Sequence, residues 1–456
     1  MVPLAAVQHR VVQDLILNHK EKLFELVDAC GPVIHILFPE IFEENLRAYQ
    51  SVFDEYEIPG EIFYAQKANK GKAFLEIAAR NDIGAEVSSL YELREALGHG
   101  IVGDSIISSG PYKNQEFLLL SLRHSATLSI DSIEELLQSI EISGMLSSSK
   151  AKILLRVNDL SSRISRFGIP LRRLPPAYEI LERYRGLAEF RGFSFHLDGY
   201  SIKERSLAVI RIMEELRKVR QYGFECDVID VGGGFTVQYV DEDSWRDFVS
   251  KKDVQEFYRD RRFTDFYPYF SDFPKERFLE RILQYNVCGT GMTIADKLRE
   301  EGLRLFIEPG RSLLDQAGIT IMRVKGVKQN VRGDNIIVVD GNINYLSEQW
   351  FNTEFLPEPV LIPGGVDDVN EFVASVGGNT CMETDMLTWR KIAFSAKPQA
   401  GDLLVYINTA GYQMDSNEST FNLLPTPRKI ALYACHTGEF LWKTDESFSQ
   451  LDIIEV

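Results

Sequence analysis

The chain has 456 residues, 45% hydrophobic and 26% charged. That balance allows a full core without disulfides or structural metal. Lysine plus arginine total 50 against 67 for aspartate plus glutamate, a formal net charge of −17. This is the wrong sign for a general nucleic-acid binder and gives no reason to expect an anionic membrane as partner. The cysteines, Cys30, Cys226, Cys288, Cys381 and Cys435, form no CxxC pair. No disulfide framework and no metal site is expected, and a reducing, cytoplasmic setting is.

The opening MVPLAAVQHRVVQDLILNHK has no basic start and carries apolar residues at helical spacing. It reads as an amphipathic helix, not a signal peptide, and no apolar run reaches about 18 residues, so no membrane span is expected. After the apolar VIHILFP and a helical stretch from Phe42 to about Tyr56, a regular alternation begins. Predicted strands lie at 63–65, 82–87, 101–107, 126–130, 151–158, 193–197, 226–231 and 303–307. Helical patterns separate them at 71–80, 90–97, from 116, at 132–142, 177–189 and 202–220. About eight strand–helix units are the arithmetic of a (β/α)8 TIM-like barrel. An aromatic and charged stretch, 237–285, is too long for an ordinary connection and reads as an insertion capping the barrel. After Arg311 short β-rich runs at 319–327, 335–340, 391–395, 402–407 and 428–433 predict a mostly antiparallel β domain. The expected organisation is an N-terminal segment, 1–35, packing with that domain, then a barrel, 36–314, and the β domain, 315–456.

Chemistry collects at the strand ends, where a barrel builds its active face. Lys67 follows the first barrel strand; a lysine there is ordinarily solvated, but one with a pKa lowered by partial burial can form a Schiff base. Gly232-Gly233-Gly234 ends DVIDV, a turn that lets backbone approach an anion but lacks dinucleotide GxGxxG spacing. Glu308-Pro309-Gly310-Arg311 ends a later strand and pairs a carboxylate suited to a protonated ring nitrogen with an arginine suited to phosphate. His196 ends FSFHL, where an imidazole can stack on a flat ring. Glu86, Arg156 and Asp230 are polar residues in apolar strands and want partners. Together these groups match the needs of pyridoxal 5'-phosphate.

The residues Phe63-Tyr64-Ala65-Gln66-Lys67-Ala68-Asn69, Phe195-His196, Asp230-Val231-Gly232-Gly233-Gly234-Phe235 and Glu308-Pro309-Gly310-Arg311 stand in an order that resembles the fold-type III pyridoxal-phosphate decarboxylases of the ornithine, diaminopimelate and arginine group. So do Asp340-Gly341-Asn342-Ile343-Asn344, Gly378-Asn379-Thr380-Cys381 with Asp385, and Gly411-Tyr412 followed by Phe421-Asn422. The resemblance runs from about residue 35 to 430. It implies that Lys67 binds the cofactor covalently, that His196 stacks on its ring and that Glu308 holds the ring nitrogen. Glu86, where the family often has aspartate, and Arg156 would lie near the cofactor. Gly233, Gly234, Gly310, Arg311 and Tyr412 would take its phosphate. Asp340, Asn344, Cys381, Met382 and Asp385 would form the substrate end. The resemblance also implies a head-to-tail homodimer with shared active sites, in which Cys381 reaches into the partner's site and reprotonates the decarboxylated carbon.

Departures from the family bear on substrate. The small serine-containing turn after the histidine is Leu197-Asp198-Gly199-Tyr200, with Ser201 displaced: either Ser201 substitutes or the phosphate loses a hydroxyl donor. Asp198 suits a phosphate neighbour only if it points away. The run Tyr345 to Gln349 has no arginine where the diaminopimelate enzymes carry one, and Met382 replaces their glutamate and the ornithine enzymes' aspartate. The expected reaction is decarboxylation of a basic, diamino or conjugated diamino acid other than diaminopimelate, to amine plus CO2. The alternatives are a racemase using the same cofactor and a non-catalytic regulator of a related decarboxylase.

Overall fold

The computed structural model describes residues 2–146, 150–161, 163–251, 256–263, 265–346, 353–365, 371–435 and 438–448. Strand β1 (Val33–Leu37) belongs to the second sheet. The barrel is built from β2 (Gly60–Ala65), β3 (Gly84–Val87), β4 (Ile106–Ser108), β5 (Thr127–Ile130), β6 (Ala151–Asn158), β7 (Ala188–Ser194), β8 (Val228–Asp230) and β9 (Arg304–Ile307). All neighbours pair in parallel, and Leu305 of β9 paired with Gly60 of β2 closes the ring. The near-continuous apolar runs follow from this topology, because strands ringed by helices are buried on both faces.

The interior explains where the chemistry lies. Phe63, Ile107, Leu154, Val228 and Phe306, from five strands, form a separate apolar plug inside the barrel. Side chains alternate with period two, so the next inward positions toward the C-terminal face lie two residues on. There the character changes to polar: Ser109, Arg156, Asp230 and Glu308. On β2 the same step gives Ala65 and then Lys67, on the short 3-10 turn Gln66–Ala68.

The second sheet contains β10 (Gly318–Gln329), β11 (Asn335–Val339), β12 (Val360–Ile362), β13 (Phe372–Gly377), β14 (Met386–Phe394), β15 (Leu403–Ile407), β16 (Arg428–Ala434) and β17 (Phe440–Thr444). Its order is β14-β13-β11-β10-β1-β16-β17, with β15 pairing both β10 and β12. Only β1–β16 and β11–β13 are parallel pairs. A (β/α)8 barrel followed by a mostly antiparallel β domain is therefore the observed fold, as expected. The sequence pattern did not reveal β12, β13 and β17. Among the described residues no helix is long and apolar enough to cross a membrane.

Two further expectations change. The opening segment is two helices, Arg10–Asn18 and Lys20–Cys30, not one. Part of the stretch expected as an insertion is the helix Glu276–Leu283, which packs against helices Pro39–Glu55 and Ile202–Gln221 of the barrel's outer ring. Phe278, Leu279, Ile282 and Leu283 give it a buried stripe at helical spacing. The aromatics before it, Phe248, Phe257 and Tyr269, are buried in the core of the β domain with Tyr239 and Trp389.

Asp315 is buried, with Lys275 Nζ 3.8 Å away. Burial pushes its carboxyl up to about 7. A folded pKa above the unfolded one gives stability that is complete below about pH 4 and is lost as pH rises toward 7. Asp315→Asn is thus expected to stabilise the apoprotein at pH 8 by at most about 4 kcal/mol, read as a higher melting temperature, and to have little effect at pH 4. Thermal unfolding at the two pH values checks this; an equal change at both would contradict it.

Candidate active site

A cleft opens at the C-terminal face of the barrel. Its two compartments, of about 330 and 710 Å³, share Lys67, His196 and Glu308. The smaller adds Glu86, Ser88, Ser109, Arg156, Arg166 and Phe167. The larger adds Gly233, Gly234, Tyr267, Gly310, Arg311 and Tyr412.

Lys67 keeps 41% of its side-chain surface open, and its Nζ donates to Glu86 Oε2 at 2.7 Å. Glu86 is 1% exposed. Its other oxygen accepts from Ser88 Oγ at 2.9 Å and from the Ser109 hydroxyl. Burial pushes the Glu86 carboxyl up, but Lys67 and the two hydroxyls outweigh it and hold the group below the usual range. For Lys67 the sequence expectation is reversed. Burial lowers it, yet Glu86, Tyr412 and Glu308 together raise it further than burial lowers it. The lysine rests as an ammonium, and Glu86 is the base within reach of its proton.

His196 lies two residues beyond the end of β7, not within the strand. Its Nδ1 accepts the Gly233 N–H at 3.2 Å. Burial, followed by Lys67, Arg205 and Arg156, pushes its pKa down to about 3. The imidazole is therefore neutral, with its proton on Nε2. Arg156 donates to Asp131 at 3.2 Å and lies 4.5 Å from the Phe167 ring centroid, with Arg166 4.1 Å from the same centroid.

Glu308 directly follows β9 and lies beside Asp230 of β8. Burial pushes Glu308 well up, and Asp230 and Glu86 push it further. Burial likewise raises Asp230 to about 7. Asp230 Oδ1 accepts the Gly232 N–H at 2.9 Å. This pair of carboxyls can hold a proton at neutral pH, which is what a site for a basic ring nitrogen requires.

The glycine turn is sterically demanded. Gly232 and Gly234 have φ of 65° and 83°. A Cβ on Gly233 would come within 2.7 Å of the Glu308 carbonyl oxygen, and one on Gly310 within 2.9 Å of Ala68 Cβ and 3.3 Å of the Tyr412 hydroxyl. Among the described residues, neither the Gly234 nor the Gly310 N–H has a protein acceptor. Arg311 donates to the Gly411 carbonyl at 3.0 Å and lies 4.2 Å from the Tyr267 ring centroid and 5.0 Å from that of Tyr412. Tyr412 itself has φ of 75°, a strained value for a side-chain-bearing residue, held by its N–H bond to the Ala68 carbonyl at 2.7 Å.

The residues assigned to the substrate end lie elsewhere in the chain. None of Asp340, Asn344, Cys381, Met382 and Asp385 lines the cleft of its own chain. Asp385 is not an available carboxylate: it is buried and accepts from Ile343 N, Thr380 N and Thr380 Oγ1 at 2.8, 2.9 and 2.6 Å. It fixes the loop that carries Cys381. Asp340 sits 3.4 Å from both Lys325 Nζ and Asn379 Nδ2. Cys381 is exposed, with Sγ 3.8 Å from Asn422 Oδ1. Of the run lacking arginine, 347–349 lie outside the described residues. Asp198 lines the larger compartment, where it accepts from Arg163 at 2.8 Å. Ser201 caps helix Ile202–Gln221, its hydroxyl oxygen accepting the Glu204 N–H at 3.2 Å, and it does not line the cleft.

Sequence reasoning missed Ser88, Ser109, Arg166, Phe167 and Tyr267. The two serines carried a legible signal, since each lies just past a barrel strand on its inward face. Among the described residues, no group of three or more His, Cys, Asp or Glu side chains is placed to hold a metal ion.

Residues 40–263 match the family model described as pyridoxal-dependent decarboxylase, pyridoxal binding domain. An uncharacterized protein, y4yA, of Sinorhizobium fredii is 35% identical over 426 residues, covering 92% of each chain. The diaminopimelate decarboxylase of Archaeoglobus fulgidus is 24% identical over 86% of this chain and 85% of its own length. The chain belongs to the fold-type III pyridoxal-phosphate-dependent decarboxylase family. Its architecture is shared by the family's lysine/ornithine decarboxylase of Vibrio vulnificus, solved with putrescine, at a TM-score of 0.70 and 17% identity over 93% of this chain and 99% of that one.

Proposed function

We propose that this family member uses pyridoxal 5'-phosphate to decarboxylate a basic, diamino or conjugated diamino acid other than diaminopimelate. The observation that carries the reading is the convergence of Lys67, Glu86, His196, Glu308, Arg311 and Tyr412 on one cleft. The donor set fits the cofactor: an amine beside a base, a neutral flat ring, a buried acid and a glycine cradle that any Cβ would fill. Lys67 would bind the aldehyde carbon through its Nζ once deprotonated, with the Glu86 carboxylate positioning the amine. His196 would lie against the ring, and Glu308, backed by Asp230, would hold a proton at the ring nitrogen. Gly233, Gly234, Gly310, Arg311 and Tyr412 would bind the phosphate. When bound, the cofactor supplies an electron sink for the pair left by the departing carboxylate.

The substrate end would be completed by a second copy of the chain in a head-to-tail dimer. Supporting this, Cys381 and Asn422 sit among exposed apolar side chains, Met382, Phe421 and Leu423. Such a patch suits burial against another surface. Cys381 of the second copy would then return a proton to the α-carbon. The exclusion of diaminopimelate rests on Met382 and on the missing arginine after Asn344.

The test is CO2 release from amino acids and conjugated diamino acids, with products weighed by mass spectrometry. The expected outcome is an amine plus CO2 from one basic or conjugated substrate, with diaminopimelate inert. Diaminopimelate as the best substrate would contradict the specificity. Conversion to the opposite enantiomer without CO2 would contradict the reaction.

A further inference from the structure

An arginine on the buried face of a helix normally meets a carboxylate, since an unpaired buried charge is costly. Arg205, in the first turn of helix Ile202–Gln221, is 1% exposed and meets backbone instead. Its Nη1 donates to the carbonyls of Val231 at 3.1 Å and Gly233 at 2.6 Å. Its Nη2 reaches the carbonyls of Gly199 at 3.3 Å and of Leu197 and Gly234 at 3.5 Å. Among the described residues no carboxylate pairs with it, and its Nε has no acceptor. Burial pushes it down only to about 10, so it stays charged at neutral pH.

The consequence follows from peptide geometry. In a trans peptide the C=O and the next N–H point in opposite directions. With the carbonyls of Gly233 and Gly234 turned to Arg205, the amides of Gly234 and Phe235 point the other way. Gly233, Gly234 and Phe235 all line the larger compartment on that side. Arg205 packs closely under the turn: a Cβ on Gly234, whose φ of 83° already favours glycine, would lie 2.5 Å from Arg205 Nη2 and displace the guanidinium.

We propose that Arg205 is a positioning residue for the anion cradle. It clamps the carbonyl side of the glycine turn, aims the amides at the cleft and stores beneath them a positive charge that a phosphate ester neutralises. This inference rests on the cofactor reading above.

The test compares binding of pyridoxal 5'-phosphate with pyridoxal, which lacks the phosphate, by absorbance and fluorescence titration of the apoprotein. The wild type is expected to prefer the phosphate ester. Arg205→Met is expected to weaken that ligand about tenfold or more while changing pyridoxal less than about threefold. Arg205→Lys keeps the charge but loses the multiple carbonyl contacts, so its preference is expected to fall by about threefold or more. It also serves if the methionine variant does not fold. Ser201→Ala, at an exposed helix cap, is expected to keep the full preference. Equal loss for both ligands, or an unchanged preference in the Arg205 variants, overturns the inference while leaving the cofactor reading intact. A lost preference in Ser201→Ala also overturns it, in favour of a hydroxyl donor. A wild type that binds neither aldehyde overturns the cofactor reading and this inference with it.

Discussion

Replacing Lys67 with alanine is expected to abolish the visible absorbance of bound pyridoxal phosphate and to cut CO2 release by about four orders of magnitude, roughly 5.5 kcal/mol of barrier. The amine stands just past β2, on its inward face beyond the apolar plug, and lines both compartments of the cleft. Alanine also leaves the buried Glu86 carboxylate without its cation, keeping only the Ser88 and Ser109 hydroxyls, so some loss of stability at neutral pH is expected. Lys67→Arg separates the two roles. It can keep the ion pair with Glu86, but its guanidinium does not give up a proton. It should recover stability and remain as inactive as the alanine variant. Activity returning with the arginine would mean that Lys67 acts only as a charge.

The second large effect is expected at Glu308. Its carboxyl is pushed up by burial and by Asp230 and Glu86, so it resists carrying charge until a cation stands beside it. A protonated ring nitrogen is such a cation. Glu308→Gln keeps the shape and a hydrogen bond but removes the charge that holds the proton. Turnover is expected to fall about 10²- to 10³-fold, the usual cost of losing one preorganised electrostatic partner. The apparent affinity for pyridoxal phosphate should change less than about tenfold, because the phosphate cradle and Lys67 are untouched. Steady-state kinetics with cofactor titration decide it; unchanged turnover would remove Glu308 from the chemistry.

The barrel was legible because buried parallel strands leave apolar runs at regular spacing, and each polar interruption marked a position beyond the plug. Glu86, Arg156 and Asp230 were found that way, and Lys67 and Glu308 as groups standing at strand ends. The electrostatics were not legible. The upward shift of Lys67 depends on Glu86, and the two are joined only when β2 and β3 pair. Asp385 was assigned to the substrate end by the resemblance alone; its three donors become visible only when the loop closes on Ile343 and Thr380. Arg205 did carry a signal, an arginine on the face of Ala208, Val209 and Ile212, but its five carbonyl partners come from two loops. Strand β13, FVASVG, is short and ends in glycines, and β17 is short and mixed in polarity, so neither stood out from turns.

The most direct measurement is borohydride reduction of the protein loaded with pyridoxal phosphate, followed by peptide mapping by mass spectrometry. The expected result is a single phosphopyridoxyl label on Lys67. A label on any other lysine, or none under conditions where CO2 is released, would contradict the central claim that this amine holds the cofactor.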